Sequence, residues 1–241
     1  MSAKAPSPPR PAPADDRVVV RVWDLPVRVI HWLLVAAILV LSVTGFYIGT
    51  PTLWAGGGSS AYLMGKMHAV HIGAGWAFTA LLIARLAWMF LGNRWARWDQ
   101  FLPIARERRR LSRESLAYYS FLRREPPAVI GHNPLAGLTY LVLYAMLAVQ
   151  ALTGLALEAL EDPDGLMWRL TGWVFKVAPI PEVRLVHHLI MWLTAGFIVH
   201  HVYSAVLIDR EERSGLLSSI VTGDKSVPKD QVQGDEADAR P

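Results

Sequence analysis

The chain has 241 residues, of which 53% are hydrophobic and 18% charged, a balance that few soluble domains of this size show. It contains no cysteine, which excludes disulfides, thiolate metal sites, iron–sulfur ligation and covalent haem attachment. The net charge of +4 does not indicate nucleic-acid binding, because the arginines stand beside apolar segments, as membrane topology signals do.

Four apolar segments are long enough to cross a membrane, which takes about 20 residues. We predict the membrane spans at residues 27–48, 67–91, 134–157 and 186–208. The end segments 1–16 and 223–241 are rich in proline, alanine or charged residues, and we predict that they are disordered tails. The sequence therefore predicts an all-α membrane protein with one four-helix bundle over residues 17–222.

The loops predict the orientation of this bundle. The loop 92–132 is dense in arginine and should contain a basic amphipathic helix at 106–122 on the membrane surface. The loop 49–65 has no lysine or arginine, and the acidic loop 158–184 should contain a short interfacial helix at 166–177. Because basic loops stay on the cytoplasmic side, we expect both termini in the cytoplasm of a bacterial inner membrane.

Capping residues mark the start of two spans. Asp24 with Pro26 precedes the first span, and Asn133 with Pro134 precedes the third. Asparagine and aspartate favour the N-cap, and proline favours the first turn.

Histidines follow an unusual pattern in the fourth span, which contains His187, His188, His200 and His201. His187 and His201 are 14 residues apart, about 40° short of four full turns, so both rings project from one helix face. Their Cα atoms should lie roughly 21 Å apart along the axis. His187 and His200 are 13 residues apart, as are His188 and His201, and this spacing points the two rings in different directions. We therefore predict that His188 and His200 are spare, that is, not haem ligands. This helix thus offers two ligands at two depths.

The predicted topology sorts the histidines into two pairs by depth. His71 and His187 should lie near the outer face, and His31 and His201 near the inner face. Two histidines that face each other at one depth suit a six-coordinate haem, so we predict two non-covalent haems b inside the bundle. His68 lies one turn from His71 and is the alternative outer ligand. A single four-histidine metal site is disfavoured, because the pairs should be about 20 Å apart.

Two arginines and two glycines in or near the spans each have two possible roles. Arg85 lies 14 residues beyond His71, and Arg85 and Arg28 either bind haem propionates or extend to the lipid headgroups. Gly73 and Gly75 either leave room for a flat ring or allow close helix packing.

Short motifs are distributed in order from about residue 18 to residue 223. They are WDLPVR (23–28) with His31-Trp32, TGF (44–46) with Ile48-Gly49, Met64-Gly65 before His71, Arg85 with LGNR (91–94), GHNPLA (131–136), Thr153-Gly154, His187 with Met191-Trp192, and His201-Val202-Tyr203. As an ordered set they resemble the b-type cytochrome subunit of membrane-bound nickel–iron hydrogenases, a four-helix di-haem protein.

The resemblance implies that His31, His71, His187 and His201 bind the two haems. It also implies that a periplasmic nickel–iron hydrogenase docks through its small subunit and membrane anchor helix. Electrons would then pass from the outer to the inner haem and reduce menaquinone or ubiquinone. Membrane cytochromes of formate dehydrogenases look similar, with an asparagine beside the quinone at the start of the third helix. Asn133 matches that place, although helix capping alone would explain it.

Other functions remain open at this level. The same scaffold serves formate dehydrogenases, thiosulfate reductases and stand-alone quinone-linked cytochromes. A non-redox anchor or proton transporter would contain no chromophore, and the sequence lacks the broken helices and inverted repeats of many transporters. The sequence also shows no nucleophile, acid–base dyad or phosphate loop, so any catalysis is confined to quinone reduction.

Overall fold

A computed structural model describes residues 16–51, 62–120, 122–123, 130–131, 133–229 and 231–232. Its main elements are helical, with two short strands. In chain order they are β1 (Arg17–Arg21), α1 (Leu25–Gly49), α2 (Leu63–Leu91), α3 (Arg106–Tyr119), α4 (Pro134–Glu158), α5 (Leu166–Thr171), α6 (Val174–Val177), α7 (Ile180–Glu212), α8 (Leu216–Thr222) and β2 (Asp224–Pro228).

Four helices are long and apolar enough to cross a membrane, namely α1, α2, α4 with its short 3₁₀ extension to Glu161, and α7. They confirm the four predicted spans. The fourth helix is longer than its predicted span, because α7 starts at Ile180 and continues to Glu212. Hydropathy detects only the lipid-spanning part of such a helix, whereas Pro181 in its first turn marks where the backbone becomes helical.

The spans pack as two helix pairs. Helix α1 packs along α2, helix α4 packs along α7, and the two pairs meet through α2 and α4. Leu34, Phe78, Leu82 and Leu147 form the buried core between them. Helix α7 faces α1 and α2 across side chains, including the edge-to-face pair of Phe46 and Trp192 at 4.9 Å. Histidines occupy the same gap.

Asp24 connects the start of α1 to the end of α2. It stands at the predicted N-cap position, but its side chain makes no hydrogen bond to its own helix. Its carboxylate instead accepts hydrogen bonds from the Asn93 backbone N–H at 2.9 Å and from the Trp88 indole at 3.4 Å. By contrast, Asn133 caps α4 as predicted and accepts from the Leu135 N–H at 2.9 Å.

A small cap closes the end of the bundle where α1 begins and α7 ends. Strands β1 and β2 pair antiparallel, with Arg17 opposite Pro228 and Arg21 opposite Asp224. Val22 and Val227 are buried together beneath this ribbon. The prediction of disorder from residue 223 is therefore wrong for 224–228, because burial of these valines and strand pairing stabilise the segment.

Of the other predicted tail residues, 1–15, 230 and 233–241 lie outside the described part of the chain. Helix α3 confirms the predicted basic helix and ends at Tyr119, three residues early. The predicted helix at 166–177 is divided into α5 and α6, because α5 ends where the Gly172 N–H bonds to the Trp168 carbonyl.

Candidate functional site

Four half-buried histidines from three helices meet in two pairs inside the gap. The ring centres of His71 on α2 and His187 on α7 are 6.5 Å apart, with an angle of 68° between the planes. Those of His31 on α1 and His201 on α7 are also 6.5 Å apart, at 60°. We call these the 71/187 pair and the 31/201 pair. The structure thus brings together the residues that the spacing argument paired.

The separation within each pair fits one six-coordinate iron. An imidazole nitrogen binds a metal at about 2 Å and lies about 1.2 Å from its ring centre, so rings on opposite sides of one iron have centres about 6.4 Å apart. The observed 6.5 Å agrees for both pairs. Since both pairs use α7, their 14-residue spacing separates the sites by roughly 21 Å along the helix.

Thr44 and Gly45 of α1 hold the ring of His71. Thr44 Oγ1 lies 2.8 Å from His71 Nδ1 and also donates to the Val40 carbonyl at 2.7 Å. A Cβ at Gly45 would lie 3.1 Å from His71 Cε1, closer than ordinary van der Waals contact. Glycine therefore lets the ring lie directly against the α1 backbone.

Thr153 and Gly154 of α4 repeat this arrangement around His187. Thr153 Oγ1 lies 3.0 Å from His187 Nδ1 and donates to the Val149 carbonyl at 2.8 Å. A Cβ at Gly154 would again lie 3.1 Å from the ring carbon Cε1. The Gln150 amide nitrogen lies 3.2 Å from His187 Nε2, so this amide has to turn away when that nitrogen binds a metal.

Aromatic rings surround the 31/201 pair. Phe197 stacks on His201 at 5.6 Å with 12° between the planes, and Tyr140 meets the same ring edge-on at 6.0 Å. Trp32 meets His31 edge-on at 5.5 Å. Packing therefore orients these imidazoles, whereas hydrogen bonds orient those of the 71/187 pair.

The comparison with known protein families assigns this bundle. A family model described as prokaryotic cytochrome b561 matches residues 22–223, which include all four spans and both histidine pairs. The chain belongs to the prokaryotic cytochrome b561 family. Membership identifies it as a multi-pass membrane cytochrome of the b type, and hence as a haem b protein that transfers electrons.

Curated relatives of this cytochrome carry a more specific name. Proteins named "Probable Ni/Fe-hydrogenase B-type cytochrome subunit" are 35% identical in Bradyrhizobium diazoefficiens and 36% identical in Rhizobium leguminosarum bv. viciae. The alignments cover 87% of this chain and 87% of the first relative, and 88% and 91% for the second. A "Probable Ni/Fe-hydrogenase 1 B-type cytochrome subunit" of Escherichia coli is 32% identical over 88% of this chain and 93% of its own.

The remaining span histidines of this cytochrome are exposed and belong to neither pair, although the ring centre of His188 lies 6.3 Å from that of His187. His68 is exposed on α2, so His71 rather than His68 faces His187. His188 is exposed, and its Nδ1 lies 2.9 Å from the carbonyl of Arg184, within its own helix. His200 is also exposed, and its Nε2 lies 3.4 Å from the Ser204 hydroxyl. That His188 and His200 bind no haem stays a prediction.

Gly73 and Gly75 favour one of their two interpretations. A Cβ on either glycine would meet no atom of the described residues within 4 Å, outside its own helix and neighbouring residues. Close helix packing therefore does not explain them. The open space leaves room for a bulky group.

The two predicted arginines differ in their surroundings. Arg85 is 95% buried near the end of α2, and its Cζ lies 5.4 Å from the Tyr144 ring centre and 5.6 Å from that of Phe101. Its Nη1 has no hydrogen-bond partner among the described residues. Arg28 donates through Nη1 to the Val221 carbonyl at the end of α8. Arg28 Nε also has no partner among the described residues, but Arg28 is only half-buried, so Arg85 is the more deeply buried cation of the two and fits a propionate better.

Sequence reasoning gave no role to Thr44 and Thr153, which contact the predicted ligands directly. Each precedes a glycine in the last third of its span, and the repeated Thr-Gly doublet was the available signal. Threonine in a membrane helix usually bonds to its own helix carbonyls, so the doublet alone indicates no contact with histidine.

Proposed function

We propose that this chain is a di-haem cytochrome b that carries electrons from a periplasmic nickel–iron hydrogenase to the quinone pool. The observation that carries the proposal is the pair of equal 6.5 Å histidine separations. The names of the relatives support hydrogenase as the electron donor. The arginine-rich loop supports an inner-membrane orientation with both termini in the cytoplasm, which makes the 71/187 site the outer one.

The residues of the chain bind, orient and insulate the cofactors. The 71/187 pair would hold the outer haem and the 31/201 pair the inner haem, each through one ring nitrogen of each imidazole. When bound, the haem irons supply one-electron redox chemistry. The buried Arg85 guanidinium would neutralise a propionate of the inner haem, because a charge at this depth needs a partner.

Quinone reduction would take place at the cytoplasmic end, beside the 31/201 pair. Asn133 stands at the start of α4 on that side, but its side-chain oxygen already accepts the Leu135 N–H. Only its amide nitrogen is then left as a donor to a quinone carbonyl. The Asn133 contribution to quinone binding is therefore secondary to capping. Protons for the reduction would enter from the cytoplasm.

A reduced-minus-oxidised spectrum of the purified protein, with a pyridine haemochrome assay, tests the proposal. Two haems b per chain are expected. A count of one haem per chain would refute the two-pair assignment. A count of zero would refute the electron-transfer function and favour a membrane anchor or transporter.

A second experiment tests the donor. In membranes that contain the chain with its native enzyme partner, hydrogen should reduce both haems in the absence of dithionite. Reduction by formate in place of hydrogen would assign the scaffold to another respiratory enzyme.

A further inference from the structure

The hydroxyls of Thr44 and Thr153 fix the tautomers of both outer imidazoles. A threonine hydroxyl has one hydrogen, and each hydroxyl lies 2.7–2.8 Å from a backbone carbonyl that can only accept. When that hydrogen is donated to the carbonyl, each Oγ1 accepts the hydrogen of the neighbouring Nδ1, at 2.8 Å for His71 and 3.0 Å for His187. This arrangement leaves Nε2 of both rings with a lone pair for a metal.

The two threonines are also well placed to act on the bond to a metal. Both are 95% buried, so no bulk water competes for these hydrogen bonds. A hydrogen bond that accepts the imidazole N–H raises the basicity of the ligating nitrogen. A more basic ligand donates more charge to the iron and stabilises its oxidised form over its reduced form.

The 31/201 pair has no such hydrogen bond within the ranges that the structure describes. Its imidazoles contact the rings of Phe197, Tyr140 and Trp32. Nearby, Arg85 places a buried positive charge at the end of α2. A positive charge beside a haem favours the reduced form, because reduction adds a negative charge. Both differences act in the same direction.

We propose that Thr44 and Thr153 are positioning residues that make the outer haem the lower-potential haem of the two. This inference rests on the proposed function, since it requires a haem at each pair. These side chains would thus make electron transfer from the outer to the inner haem favourable in free energy. Electrons that enter at the 71/187 pair would move spontaneously toward the 31/201 pair and the quinone.

Redox titration of the purified two-haem protein with valine substitutions tests this inference. Thr44→Val and Thr153→Val preserve side-chain shape and remove the hydroxyl. We expect each substitution to raise the midpoint potential of one haem by about 59 mV. For a one-electron couple this shift is a tenfold change in the redox equilibrium constant. The other haem should keep its potential, and the ferric low-spin EPR signal of the shifted haem should change as well.

Matched controls separate the hydrogen bond from general effects on the helix. Thr44→Ser and Thr153→Ser keep the hydroxyl and should restore the wild-type potential. Among the described residues, the Thr79 hydroxyl bonds only to the Gly75 carbonyl of its own helix at 2.8 Å, so Thr79→Val should move neither potential. A shift in Thr79→Val equal to that in the other valine variants would overturn the inference.

A measurement on His187→Ala keeps the inference testable if a valine variant loses a haem. The haem that remains in His187→Ala should have the higher of the two wild-type potentials. If it has the lower potential, the inference is wrong. If both haems are present and no valine substitution moves a potential, the inference is wrong while the di-haem function stands. If the wild-type protein contains no haem, the function itself is wrong.

Discussion

Replacement of His187 by alanine should remove one haem and leave the other in place. The change deletes one imidazole of the 71/187 pair, whose ring centres are 6.5 Å apart, so the proposed outer haem would lose one of its two histidine ligands. The 31/201 pair lies roughly 21 Å away along α7, far beyond the 7–10 Å over which neighbouring substitutions couple. The haem-to-protein ratio should therefore fall from two to one.

The adjacent His188→Ala is the matched control. His188 is exposed and bonds through Nδ1 to the Arg184 carbonyl, one turn earlier in its own helix. This substitution should retain both haems, and the α-band of the reduced-minus-oxidised spectrum should keep its full amplitude. In His187→Ala that amplitude should fall by about half. The remaining haem should be reducible by dithionite but not by the native electron donor.

Two results would refute the assignment of helix faces. One is the loss of a haem in His188→Ala with both haems retained in His187→Ala. The other is the loss of both haems in His187→Ala from a protein that remains helical by circular dichroism, since the two sites would then not be independent. Haem content by the pyridine haemochrome assay, normalised to protein, distinguishes these results from the expected one.

Substitutions at Gly154, Arg85 and Glu212 test the two sites and the cap. Gly154→Val should lower outer-haem occupancy, because its Cβ would lie 3.1 Å from the ligand ring, whereas Gly196→Val meets no atom within 4 Å and should keep both haems in the same assay. Arg85→Leu should lower the inner midpoint potential by roughly 59 mV, or tenfold, and Arg85→Lys should largely preserve it, as measured by redox titration. Glu212→Gln removes the 3.3 Å ion pair of buried Lys225 and should destabilise the cap by about 1 kcal/mol in thermal unfolding, since Glu212 itself is partly exposed.

The spans and the histidine pairing could be predicted because both depend on properties of single helices. An apolar run of about 20 residues indicates a membrane-crossing helix. The 14-residue spacing of His187 and His201 indicates that both side chains lie on the same helix face. The choice of His71 over His68 rested on the greater depth of His71 and on Gly73 and Gly75, which follow it. The structure adds that His68 is exposed while His71 faces His187.

The cap could not be predicted, because its strands lie about 200 residues apart in sequence. Strand β1 pairs Val18 with Val227 and Val20 with Lys225. Each strand has five residues, and β2 lies in a polar segment whose composition is typical of a tail. Only the folded bundle brings the start of α1 next to the segment that follows α7. The Thr-to-His contacts were missed for the same reason, since each joins two different helices.

The two ends of the bundle position their histidines by different means. At the 71/187 end, threonine hydroxyls from α1 and α4 bind the rings themselves. At the other end the cap joins the helices instead: β1 leads into α1, β2 follows α7 through α8, and the Trp32 indole donates to the Ile220 carbonyl of α8 at 3.3 Å. The cap thereby fixes α1 against α7 where His31 must face His201. Hydrogen bonds at one site and helix anchoring at the other give the same 6.5 Å separation. With a haem at each pair, the two sites would differ in ligand basicity, and this difference would give electron transfer its direction.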